Sequence, residues 1–234
     1  MSGDHQRKDI GVPEQPARTE RTAVVLSHNL TDNTTSISAW ASALRAGGHT
    51  VATPNHPRNR DDQPTSWHQL ARAYEHTYLT LTHTHDHVYA GGTGLGATLA
   101  LWLAERHDPT GLLLVNPAVT DPQRNSRLHT LRTRLTHTLT TTSGPDTHAA
   151  NELSTLTAHV RRRIHTITTP ALLLHTATEH AADTEWLHNH LPSPITDTPL
   201  NDCHDPDTAD IIHTASLTFI TTTCPATGNT VTRT

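Results

Sequence analysis

Residues 88–103 read Val88-Tyr89-Ala90-Gly91-Gly92-Thr93-Gly94-Leu95-Gly96-Ala97-Thr98-Leu99-Ala100-Leu101-Trp102-Leu103, and this stretch decides the fold. His87 to Ala90 is a short apolar strand, and a helix opens at Thr98 and runs to Arg106. Between them glycine recurs at positions 92, 94 and 96. Alternating glycines between a strand and a helix serve a sharp turn in which backbone approaches backbone closely. Such turns either cradle phosphate at a helix N-terminus or lift an attacking side chain to the tip of the turn. Gly92-x-Gly94-x-x-Ala97 satisfies a loose dinucleotide pattern, but that loop belongs to the first strand–helix unit of its domain. Here it follows the third strand.

Working outward, the chain alternates strands and helices. Residues 1–21 are polar, with Pro13 and Pro16, and read as a disordered tail. Ala23 to His28 is a continuous apolar run, the mark of a strand covered on both faces. A helix follows over 36–46, with Trp40, Ala41 and Leu44 on one side, stopped by Gly47-Gly48. Thr50 to Thr53 is a strand ended by Pro54, and 55–65 is a loop. Trp67, Leu70, Ala71, Tyr74, Tyr78 and Leu81 recur at helical spacing over 67–81. Further strands are expected at 111–116, 171–175 and 195–200, and helices at 183–191 and 207–220. Residues from 221 to 234 read as a flexible tail. The alternation predicts an α/β domain over 22–220, with a mostly parallel sheet covered by helices on both faces.

Composition narrows the function. The 234 residues carry a formal net charge of -5, 21 histidines, two cysteines and only 3% aromatics. No basic face for nucleic acid, no membrane span and no disulfide framework is expected. A cytoplasmic location is the expectation from cysteine usage. His83-Thr84-His85-Asp86-His87 resembles a metal cluster, but alternate residues of an extended chain face opposite ways, so no metal is expected there. No cofactor is expected either. Arg161-Arg162-Arg163 reads as a solvated helix end, and Trp40, Trp67, Trp102 and Trp186 as packing residues. Trp67, beside the polar loop, is the one admitted to a substrate pocket.

These motifs resemble the small bacterial carboxylesterases and monoacylglycerol lipases of the α/β-hydrolase superfamily. The resemblance covers about residues 22–220 and is strongest over 88–119, including Gly111-Leu112-Leu113-Leu114-Val115-Asn116-Pro117-Ala118. It implies an α/β-hydrolase fold with a short helical cap over about 119–166. There Leu128, Leu131, Leu135 and Leu139 would close a hydrophobic chamber or form a homodimer face. Ser27-His28-Asn29-Leu30-Thr31 is similar to the oxyanion loop, with Asn29 where the family has glycine. Glu179 falls on the family's acid and His204 on its histidine, in the chain order that the fold requires. Asp183, which competes with Glu179, reads as a helix N-cap.

The resemblance puts Gly94 where the family carries its nucleophilic serine, so no acyl-enzyme forms at that position. Thr93 is no substitute. Shifting the register by one loses the closing glycine, and a β-branched residue is poor at φ > 0. Cys203, beside His204, is read as inert. The expected remainder is a His204–Glu179 pair facing an oxyanion hole built from the Leu30 and Leu95 amides, with Asn29, Thr93 and Trp67 lining the pocket. Such a site suits proton transfer on a small apolar, carbonyl-containing ligand: cyclisation, isomerisation or C–C bond chemistry of a polyketide-like compound. Two alternatives stand beside it. One is an esterase or thioesterase whose serine has been exchanged, and the other a catalytically silent binder.

Overall fold

In the computed structural model, the described residues are 20–28, 35–54, 66–120, 145–176, 181–201 and 206–224. Six strands form one sheet: β1 (Thr22–Ser27), β2 (Thr50–Ala52), β3 (His87–Thr93), β4 (Leu112–Val115), β5 (Ala171–Thr176) and β6 (Ile195–Leu200). Their order is β2-β1-β3-β4-β5-β6, and every neighbouring pair is parallel. The helices are α1 (Thr35–Ala46), α2 (Trp67–Thr82), α3 (Leu95–Ala104), α4 (Pro145–Arg163), α5 (Ala181–His190) and α6 (Pro206–Thr223). A 3-10 turn, Ile164–Thr166, follows α4.

The continuous apolar strands serve two cores at once. Ala23, Val25, Val88, Ala90, Leu112, Leu114, Ala171 and Leu173 face a cluster with α2, α3, α4 and α5. Val24, Leu26, Tyr89, Leu113, Val115, Leu172 and Leu174 face the opposite cluster with α1 and α6. Alternation along each strand supplies both faces, which is why a run of apolar residues here reads as strand. All six residues expected to form the inner stripe of α2 are buried. Ser66 and Gln69 close its N-terminus as a capping box. In α3 every residue is buried, as suits an apolar helix packed between sheet and neighbouring helices.

Several boundaries differ from the sequence reading, most consequentially around the glycine turn and at the last helix. β3 runs three residues beyond Ala90, because Gly91 and Gly92 pair in register with Leu26 and Ser27 of β1 and with Leu113 and Leu114 of β4. A β-carbon on Gly91 would lie 2.7 Å from the Leu113 carbonyl oxygen, so glycine is what lets the strand continue there. α3 begins at Leu95, not Thr98, its first turn closed by the Thr98 amide donating to the Gly94 carbonyl at 3.1 Å. It ends at Ala104, two residues before Arg106. α6 persists to Thr223, into the stretch read as tail, because Thr223 Oγ1 binds the Phe219 carbonyl at 2.7 Å and the Tyr89 hydroxyl at 2.8 Å.

Tyr74 ties α2 to the sheet. Its hydroxyl lies 2.9 Å from the Gly91 carbonyl oxygen of β3 and 3.2 Å from the Val25 carbonyl oxygen of the adjacent β1. Burial raises the pKa of this hydroxyl far above the ordinary value for tyrosine, so it remains a donor. Tyr74→Phe is expected to lower unfolding stability by about 1–2 kcal/mol, with an unchanged denaturant slope, in urea titration.

Candidate active site at the turn after β3

Strand order places the site. The chain leaves β1 toward β2 on one side and returns to β3 on the other, so the topological switch point, where open α/β sheets hold their ligand crevice, falls at the C-terminal ends of β1 and β3. Ser27 ends β1 and Thr93 ends β3, and the turn into α3 stands between them. Gly94 forms that turn with φ 52° and ψ -115°. This backbone conformation is strained for a residue with a side chain and open to glycine. The Gly94 amide donates to the Val115 carbonyl at 3.0 Å, which fixes the turn to β4.

The flanking glycines make the approach possible. A β-carbon on Gly92 would strike the Ser27 carbonyl oxygen and come within 2.6 Å of the Gly96 backbone. A β-carbon on Gly96 would strike the same Ser27 carbonyl group. Both lie against the end of β1, so neither can carry a side chain without moving backbone. Thr93 is the last paired residue of β3, opposite Val115, and the positive φ belongs to Gly94. Leu95 is the first residue of α3, where an amide has no intrahelical acceptor.

The next loop is fastened from below. Asn116, after β4, has φ 46°, and its side-chain oxygen accepts the Thr176 amide at 2.9 Å, joining the ends of β4 and β5. Asp183 is 6% exposed and accepts the amides of Val119 (2.9 Å) and Thr120 (2.6 Å). It is the third residue of α5 and does not act as that helix's N-cap, because its carboxylate is committed to the loop after β4. Sequence reasoning missed this role. For Asn116 the local signal was the Asn-Pro pair after a strand, since asparagine tolerates positive φ.

Three hydroxyls at strand ends, Ser27 Oγ, Thr93 Oγ1 and Thr176 Oγ1, are buried without a hydrogen-bond partner. Buried hydroxyls of this kind call for water or a ligand. Trp67 is 4% exposed and lies at the start of α2. Its ring meets Trp102 edge-on at 6.4 Å, its backbone amide donates to Glu152 Oε2 at 2.6 Å, and its indole nitrogen has no partner. Arg161 stacks over Trp186 at 4.8 Å. α4 packs into the core through Leu156 and Val160, and the 3-10 turn after it through Ile164. Among the expected site residues, Thr93, Gly94, Leu95 and Trp67 are placed in this way. Asn29, Leu30, Glu179 and His204 lie outside the described residues, as do Cys203 and the leucines at 128, 131, 135 and 139. In sequence, Glu179 follows the last residue of β5 by three positions and His204 the last of β6 by four.

A parallel six-stranded sheet flanked by helices, with a glycine-framed turn after its third strand, is the α/β-hydrolase fold. No family profile matches the chain. The thermostable monoacylglycerol lipase of Bacillus sp. (strain H-257) is 32% identical over 104 residues, covering 42% of this chain and 42% of that lipase. The match thus spans less than half of the curated relative. A structure from work on LipS and LipT, two metagenome-derived lipolytic enzymes, superposes with TM-score 0.69 at 20% identity, over 87% of this chain and 94% of the other. The monoacylglycerol lipase of Paleococcus ferrophilus superposes with TM-score 0.64 at 16% identity, over 86% and 94%. The chain is esterase- and monoacylglycerol-lipase-like in fold. No helix among the described residues is long and apolar enough to cross a membrane.

Two substitutions test this geometry. Gly96→Ala should cost more than about 3 kcal/mol of unfolding free energy, because the clash is with backbone; urea titration reads it. Asp183→Ala strands two amides, and a loss of about 2–4 kcal/mol is expected in the same titration.

Proposed function

We propose that this chain binds a small apolar carbonyl compound in the crevice between β1 and β3 and acts on it by proton transfer, without an acyl-enzyme. The observation that carries this reading is Gly94 at the tip of the turn, in a conformation that displays a nucleophile in this fold. Glycine has no atom with which to attack. In the proposed chemistry the His204 imidazole takes a proton, either from the carbon beside the carbonyl or from a water that adds to it. The displaced electron pair moves to the carbonyl oxygen, where the Leu30 and Leu95 amides receive the oxyanion. Glu179 holds the imidazole in its working orientation, and Asn29, Thr93 and Trp67 line the pocket. General acid–base transfer supplies about 10²–10⁴-fold and an oxyanion donor about 10²–10³-fold, enough for an isomerisation, a cyclisation or a water-mediated cleavage.

A second reading rests on the likeness to lipases and esterases: an ester hydrolase that lacks only its serine. One experiment tests the machinery that the two readings share. The parent chain should release aryl alcohol from a short-chain aryl ester with no pre-steady-state burst, whereas Gly94→Ser should show a burst and sustained turnover. Adding His204→Ala to Gly94→Ser should reduce that turnover at least 100-fold. A stoichiometric burst from the parent chain would overturn the proposal. Inactivity of a folded Gly94→Ser would leave the silent binder as the better reading. Restoring serine should also cost about 1–3 kcal/mol of stability, the strain of that backbone in a residue with a side chain.

A further inference from the structure

At the edge of the sheet where the strands begin, three segments distant in sequence bring an oxygen, a nitrogen and a sulfur donor together. Glu20 precedes β1, His87 is the first residue of β3, and Cys224 follows the last residue of α6. Their ligand atoms all lie within 4.8 Å of one another. His87 Nε2 is 3.0 Å from Glu20 Oε2, with the two side chains 17% and 26% exposed. A tetrahedral zinc ion with bonds of about 2.0–2.3 Å holds its donors roughly 3.3–3.8 Å apart, so small rotations bring these three to bonding distance.

The surroundings hold the donors in place. The Cys224 amide donates to the Ile220 carbonyl at 3.0 Å, and the His87 amide to that of Arg21 at 3.2 Å. The Arg21 amide in turn donates to Asp86 Oδ2 at 2.9 Å, which fixes the residue beside Glu20. His85 is committed elsewhere, with its Nε2 2.9 Å from Thr50 Oγ1. The local His83–His87 cluster considered from sequence is therefore not the set that converges. His87 alone from that stretch meets partners from both ends of the described chain.

We propose that Glu20, His87 and Cys224 form a binding site for a zinc-class divalent ion, with three protein ligands and water in the fourth position. A thiolate and an imidazole beside one carboxylate suit zinc, and the sulfur argues against magnesium or calcium, which take oxygen. Gly94 lies at the opposite end of β3, so the ion takes no part in chemistry there. It ties the segment before β1 and the end of α6 to β3. Binding deprotonates the thiol and releases its proton to solvent.

Cobalt(II) is the probe, added to the full chain without a histidine tag. One equivalent should produce a thiolate-to-cobalt charge-transfer band that zinc abolishes. The band should vanish in Cys224→Ser and persist in Cys203→Ser, while Glu20→Gln should weaken binding at least tenfold. Zinc at about a hundredfold over Kd should raise the parent Tm by roughly 5–10 °C, and leave that of Cys224→Ser unmoved. Absence of the band, its survival in Cys224→Ser or its loss in Cys203→Ser would overturn the site. Should Cys224→Ser fail to fold, Glu20→Gln decides, since Glu20 lies outside every strand and helix; unchanged affinity there overturns the proposal.

Discussion

The architecture depends on one close approach, the end of β1 against the turn between β3 and α3. The Ser27 carbonyl lies where β-carbons of Gly92 and Gly96 would stand, so strand, turn and helix meet through backbone alone. That contact lets α3 run down the centre of one face with all its residues buried. It also presents residue 94 at the C-terminal edge, beside the switch point that the strand order sets. Asn116 and Asp183 extend the same principle to the next loop, using side-chain oxygens to hold backbone amides that no strand or helix satisfies.

Much of this was legible because strands buried on both faces leave long apolar runs, and α2 leaves an unbroken helical stripe from Trp67 to Leu81. β6 was read at its observed bounds despite its polar residues. The turn itself was misjudged at both ends. Glycine counts against strand and helix in propensity, yet Gly91 and Gly92 remain in the ladder because their neighbours leave no room for a side chain. Asp183 was misassigned for a different reason: its partners lie more than sixty residues away, and nothing local announces them. The convergence of Glu20, His87 and Cys224 is likewise a product of topology. No spacing rule links a residue before the first strand to one after the last helix.

Histidine abundance has a structural use. Among the described residues His87, His107, His159, His175 and His188 each sit within 3.0 Å of a carboxylate. Lys8 is the chain's only lysine. Asp197 holds two of these histidines, His175 and His188, and so couples β5 and α5 to the edge strand β6.

The meeting of Glu20 with Cys224 has a topological consequence. The first strand is entered and the last helix is left at a single point, at the pole opposite the crevice. A short peptide joining these two positions would close the backbone into a ring without crossing the sheet. Such a ring could be reopened in a surface connection, giving a circular permutant whose new ends lie elsewhere while all six strands keep their neighbours. By the same geometry, a module fused directly before Glu20 or directly after Cys224 would hang from the far pole.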